Sequence, residues 1–393
     1  MVDPASDASQ TTLAWAVEST FKTPPTGAYQ KARIVSDSLG REPEIIKSDE
    51  IDGSRQVVDN ILAFEQGSGG VAVEFSYGAH DTWLQYALLS GAWAGSVASP
   101  SATMTVLVSG TTTNFVLDVG TWAASGAFAV GQIVRAAGWT GTSTPNNGYW
   151  KITGISGDTL ACRGIGFTDA SSTSATVEQL DQVLTGTTLE SITIEREYVN
   201  SALFAQLSGM AFAGFSIESS KRDKVRGEFR FLGATETGLA ATASSSKTSA
   251  TTNRVFSVNG HLDTFEFNGD RTARMTAFRL DYDNGLYVID DAGYATPEDI
   301  GIGDAVLEGN YEFWYRDKEV FDEAESFSDV SFLVAFEDAD GNGFGWEVIN
   351  CNLGAGKRNT PGKSQGVIGT MPFHAKKDTT ELVTLRLFRR TAP

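Results

Sequence analysis

Short runs of alternating apolar and polar residues dominate this chain. Gly70-Val71-Ala72-Val73-Glu74-Phe75-Ser76-Tyr77, Lys224-Val225-Arg226-Gly227-Glu228-Phe229-Arg230-Phe231 and Leu307-Glu308-Gly309-Asn310-Tyr311-Glu312-Phe313-Trp314-Tyr315 show it most clearly. A period of two sends successive side chains to opposite faces of a strand. Each run contains Glu-Phe-x-aromatic, so both aromatics share one face and the Glu takes the other. Only two stretches carry helical spacing. One is Asp81–Leu89, with Asp81 as N-cap and Leu84, Ala87 and Leu88 as its stripe; the other runs from Asp317 to about Phe327 through Val320, Phe321 and Ala324. The pattern predicts an all-β fold with minor α.

The order of elements recurs. Strand 71–77, helix 81–89, hairpin 189–196 and 203–217, polar loop 219–223 and strand 224–232 form one series. Strand 307–315, helix 317–327, hairpin 330–337 and 344–353, polar loop Gly354–Gln365 and strand 366–375 form another. The first series is interrupted by a Thr/Ser/Gly/Ala-rich stretch, 102–182, with only 3 basic and 5 acidic residues. This reads as a small β-barrel or sandwich set into a surface loop, on the outside of the molecule and dispensable for assembly. The expected organisation is an N-terminal arm (1–32), a first β domain (33–101 and 183–239), the inserted domain (102–182), a linker (240–254) and a second β domain (255–393). Residues 240–253 hold too little apolar content to pack.

Charge changes the picture more than composition does. The net charge is −19, and it is unevenly placed. Residues 281–340 hold 18 Asp/Glu against 2 Lys/Arg, whereas 351–393 hold 2 against 8. A chain this acidic does not grip nucleic acid through its phosphates. No apolar run is long enough for a membrane-spanning helix, and the first residues lack the pattern of a secretory signal. Two distant cysteines, Cys162 and Cys351, suggest no disulfide framework.

Two motifs tempt and fail. Asp338-Ala339-Asp340-Gly341-Asn342-Gly343 opens like a calcium loop, but its twelfth position is Ile349 where a bidentate Glu is needed. Gly356–Ser364 imitates a phosphate loop with its first Gly one residue early and with Pro361 removing an N–H donor. Neither a G-x-S-x-G elbow nor a distinguished carboxylate pair is present, so no catalytic residue, metal or cofactor is expected.

Leu13-Ala14-Trp15-Ala16-Val17-Glu18-Ser19-Thr20-Phe21-Lys22-Thr23-Pro24-Pro25 resembles the opening arm of tail tube proteins of long-tailed, non-contractile bacteriophages. Gly69–Trp93, Leu207–Met210 with Phe215–Ile217, Val225–Leu232 and Val367–Ala375 resemble the same family in the same order. The resemblance implies tandem β-sandwich or barrel domains, each with a flanking helix, assembled into rings that stack into a tube. With two series per chain it implies trimeric rings of pseudo-sixfold symmetry, a hexameric ring being the alternative. Expected partners are further copies, the tape measure protein, and the tail terminator and distal tail proteins. Double-stranded DNA would pass through without specific binding, in a virion tail assembled in the host bacterial cytoplasm. Glu74, Glu228 and Glu312 are the candidate carboxylates facing the lumen; Lys357, Arg358 and Lys363 are the candidate inter-ring loop. The competing reading is a carbohydrate- or surface-binding spike or adhesin, with Trp122, Trp139 and Trp150 as stacking faces unless they are core.

Overall fold

The computed structural model describes residues 7–392 except 94, 96, 99–102, 123–126, 166–169, 173, 317 and 361. Strands β1 (Thr11–Val17), β2 (Ala28–Lys31), β3 (Ser36–Asp37), β4 (Gly40–Lys47) and β5 (Asn60–Glu74) lead to helix α1 (Asp81–Ala87). The insert holds β6 (Val97–Ala98), β7 (Met104–Ser109), β8 (Thr112–Leu117), β9 (Ile133–Ala137), β10 (Gly148–Ser156), β11 (Thr159–Arg163), β12 (Ala170–Ser172) and β13 (Thr176–Gln179). Then come β14 (Asp181–Leu184), β15 (Ser191–Tyr198), β16 (Leu203–Ser220), β17 (Arg226–Gly233), β18 (Thr235–Leu239) and β19 (Ser246–Thr248). The second series comprises α2 (Val258–His261), β20 (Leu262–Phe267), β21 (Ala277–Asp283), β22 (Tyr287–Ile289), β23 (Asp299–Gly301), β24 (Val306–Trp314), α3 (Glu319–Ser326), β25 (Asp329–Glu337), β26 (Gly343–Leu353), β27 (Lys357–Asn359), β28 (Ile368–Ala375) and β29 (Leu385–Arg390).

The two series share their strand pairings. β1–β15–β16–β17–β5, with β3 and β4 on the far side of β5, runs in antiparallel order. β20–β25–β26–β28–β24–β21 repeats it. β18 lies on the first half of β16 as β29 lies on the first half of β26. In the second series the aromatic side chains of two layers meet between them: Phe278 is 5.2 Å from Phe332 and 6.2 Å from Trp346, and Tyr311 is 5.5 Å from Phe332, between ring centroids. Trp83 of α1 closes the first core against Phe212, Phe229 and Phe231.

Several expected boundaries move. β5 starts at Asn60, well before residue 71, because its exposed first half, which includes Ile61 and Leu62, pairs with β4 in a hairpin. α1 has His80 at its N-cap and Asp81 in its first turn. α3 ends at Phe327 in the left-handed region (φ 52), and the expected start, Asp317, lies outside the described residues. The loop expected over Gly354–Gln365 is partly strand: β27 continues β26 along β28, from Leu353 opposite Phe373 to Lys357 opposite Thr370. The segment 240–254 is not a free linker. Its β19 pairs in parallel with β2, and Lys247 reaches buried Glu195 at 2.8 Å. Backbone pairing and the two ion pairs of Lys247, to Glu195 and Glu197, order it without apolar content.

The insert is an open sheet, not a closed barrel. Its order is β12-β7-β8-β11-β10-β9-β13-β6, and no pairing joins β12 to β6 among the described residues. β10 changes partner midway, holding β9 through Gly148–Lys151 and β11 from Ile152 onward past a bulge. The insert has its own core around Phe115, Trp122, Trp139, Trp150 and Ile152.

Nor does the insert hang free. Its three cations all reach carboxylates of the second series. Arg135 Nε lies 2.7 Å from Glu337, Lys151 Nζ 2.8 Å from Glu347 and 2.5 Å from Glu381, and Arg163 Nε 2.5 Å from Glu266. Ile133, Tyr149 and Leu180 pack on Leu333, Ala335 and Phe388 beside them. The expectation that it is a dispensable decoration meets a physical obstacle, since Glu266 and Glu347 are fully buried beneath it.

Candidate functional site

The two series are joined edge to edge. The second half of β16 pairs with β21 from Gly214 opposite Asp283 to Ser220 opposite Ala277. One antiparallel sheet therefore runs β5–β17–β16–β21–β24–β28 across both series. One face of it is apolar: Val71, Phe229, Phe215, Tyr282, Tyr311 and Phe373 are buried. Alternation sends the intervening residues to the opposite face, where seven carboxylates (Glu74, Glu218, Glu228, Asp281, Asp283, Glu308, Glu312) meet three arginines (Arg226, Arg230, Arg279) within the strands. That polar wall is the candidate site.

The three glutamates expected from sequence share this face. Glu74 accepts from Lys224 Nζ at 2.6 Å. Glu228 lies flat across Gly70, where an added Cβ would stand 2.1 Å from its Oε1. Glu312 sits between Ala277 and Thr370 on the neighbouring strands.

Arginines at the joint between the series were not singled out by sequence reasoning. Arg230 of β17 crosses over β16 to Asp281 at 2.7 Å and to the carbonyl of Tyr282 at 2.8 Å. It passes over Gly214, where a Cβ would come within 2.7 Å of its Nη2. Arg279 of β21 faces Glu218 of β16 at 2.7 Å. Half-exposed pairs of this kind contribute about 0–1 kcal/mol each, so their role is to fix register more than to add stability. A glycine inside a strand was the available signal, because it marks a bulge or the close passage of another group, and Gly214 has both.

The basic candidates divide between the two faces: β27 extends the wall's sheet beyond β28, and Lys357, opposite Thr370, shares the face of Glu312, whereas Arg358 takes the other face. Lys357 and Arg358 belong to β27, with the Arg358 guanidinium 3.8 Å from the ring centroid of Phe321. Lys363 is exposed in the following turn. Asp338, from the calcium-like motif, accepts from the N–H groups of Asp340 and Asn342 at 3.0 and 2.9 Å and so closes the β25–β26 hairpin. No group of His, Cys, Asp or Glu suited to holding a metal occurs among the described residues. No described helix is long and apolar enough to cross a membrane. Trp122, Trp139 and Trp150 are at most 2% exposed, so they are core and offer no stacking face.

A family model described as phage tail tube protein matches residues 8–375, nearly the whole chain. The chain belongs to the phage tail tube protein family. Comparison with curated proteins gives no match. Membership makes this tail tube protein a structural component of the virion tail that assembles with its own copies and with other tail proteins. The matched span takes in the first series, the insert and the second series through β28.

Proposed function

We propose that this tail tube protein forms rings of three chains, each chain filling two of six equivalent places, and that the rings stack into a hollow tube carrying double-stranded DNA from virion to host. The observation that supports this reading is the continuous wall. Two series with the same pairings already stand side by side in one sheet, as neighbouring units in a ring would.

In this reading the face bearing Glu74, Glu228 and Glu312 lines the lumen. Its excess of carboxylates, repeated around the ring, repels phosphates and keeps passing DNA from sticking. The insert covers the outer face of the other layer, through Glu266, Glu347 and Arg386, and so lies outside. Assembly takes place in the host cytoplasm, around the tape measure protein and between the terminator and distal tail proteins.

Cryo-electron microscopy of the purified, polymerised protein tests this directly. The expected result is stacked rings of three chains with the three glutamates around the central hole. Discrete globules, or rings with those glutamates on the outer wall, overturn it.

A further inference from the structure

We infer that the edge of β27 in one chain adds to the edge of β3 in the next copy, in the register that β16 and β21 already use within each chain. This rests on the ring reading and adds which strands meet.

The pairings carry the argument. Aligning Glu74-Phe75 with Glu312-Phe313 makes Ala72 equivalent to Asn310. Opposite Ala72 stands Ser36 and opposite Asn310 stands Arg279, so Ser36 is the counterpart of Arg279. Opposite Glu74 stands Arg226, which faces Glu218; opposite Glu312 stands Thr370, which faces Lys357. Lys357 is therefore the counterpart of Glu218. Within the chain Glu218 faces Arg279. The same joint between copies places Lys357 opposite Ser36.

Both edges are open. Among the described residues β27 pairs only with β28, and β3 only with β5. β25 covers β26 as far as Asn352, so the open edge begins just beyond it. Lys357, Arg358 and Asn359 are exposed, as are Val35 (61%) and Ser36. Exposed strand edges with unpaired backbone groups template strand addition. The two edges differ, so the contact is head-to-tail, the kind that repeats from copy to copy and closes when the rotation allows. A second copy is the fitting occupant because the chain already contains this joint, filled, between its own two series.

Engineered disulfides in polymerised full-length protein test the pairing, since cross-strand partners lie close enough to bridge. Ser36→Cys with Lys357→Cys is expected to give a ladder of covalent oligomers on non-reducing gels. Glu218→Cys with Arg279→Cys is expected to close within the chain and stay monomeric, which verifies fold and template register. Rings without the ladder, while the internal bridge closes, overturn the pairing alone. Dimers from Lys357→Cys by itself show β27 meeting β27 and overturn it too. In unsubstituted protein, amides of 36–37 and 357–359 are expected to gain hydrogen-exchange protection on polymerisation; unchanged exchange in assembled rings overturns the pairing. Protein that forms no rings at all sinks the ring reading and this joint together.

Discussion

Glu195 and Glu347 are both fully buried, one in each series, yet they are covered differently. Over Glu195 lies the segment after β18: Lys247 Nζ at 2.8 Å, the Thr242 hydroxyl at 2.7 Å and the Ala243 N–H at 2.7 Å. Over Glu347 lies the insert, with Lys151 at 2.8 Å and Arg163 at 3.3 Å joining Arg386 of β29 at 2.5 Å. Burial pushes both carboxyls up, but the partners prevail. Lys247, Thr242 and Ala243 hold Glu195 below its ordinary range, and Arg386, Lys151 and Arg163 do the same for Glu347. One cover is a strand-like strap with one cation and two neutral donors, the other a separate sheet whose two cations join a third from β29. The lesson is that a buried charge ties an appended segment to the core, and the tie is tighter where the partners are themselves charged and buried.

Removing the clamp is the most damaging change. Glu347→Ala leaves Lys151, Arg163 and Arg386 crowded without their shared carboxylate and is expected to cost about 3–5 kcal/mol in denaturant unfolding. Deleting 103–180 behind a Gly/Ser bridge is expected to abolish assembly for the converse reason, which a tube count by electron microscopy checks.

Acid separates the two series by pH. The helix starts differ: His80 is buried at the N-cap of α1, whereas Lys318 stands exposed at that of α3. Burial pushes the His80 imidazole down from 6.5 to about 4. The unfolded chain therefore binds the extra proton first, and stability present above 6.5 is lost as the pH falls toward 4, by about 3 kcal/mol. Replacing His80 by Gln is expected to flatten that limb of the stability–pH curve. Glu347 acts later: its stabilisation is full above its ordinary 4.5 and declines only below it.

Lys247→Met sharpens the contrast further. Glu195 keeps two neutral donors, so the expected loss is about 1–2 kcal/mol, less than at Glu347. Smallest of all are changes on the uncovered wall. Glu74→Gln, Glu228→Gln or Glu312→Gln is expected to move stability by no more than about 0.5 kcal/mol. All three changed to Lys are expected to impair DNA delivery by particles that still assemble, measured as ejected DNA; undiminished ejection counts against the lumen assignment.

The wall was legible in the sequence because parity within an alternating strand decides the face, and Glu74, Glu228 and Glu312 all stand one residue from a core Phe. The docking of the insert was written there too, in a form the period-two reading overlooks. Val330-Ser331-Phe332-Leu333-Val334-Ala335-Phe336 is apolar at both parities, which requires cover on both faces of β25. β27 stayed hidden because Gly354-Ala355-Gly356 interrupts the alternation just where β26 slips by one residue. The order in 240–254 comes from backbone pairing with β2 and from Lys247, neither of which hydrophobic spacing records.

β29 gives the fold a clock. It pairs with β14 and β26, and its Arg389 binds Asp181, 208 residues earlier in the chain, and Asp81 of α1. Arg390 binds Glu178 of the insert at 2.8 Å. At roughly 5–20 residues per second, a ribosome delivers this strand some 10–40 seconds after β14 emerges. Until then the first series, the insert and the second series lack the strand that touches all three, and Glu347 lacks Arg386. A chain released before Leu385 carries open edges on β14 and β26 and an unbalanced buried charge at Glu347, and it is expected to be less stable than the finished one.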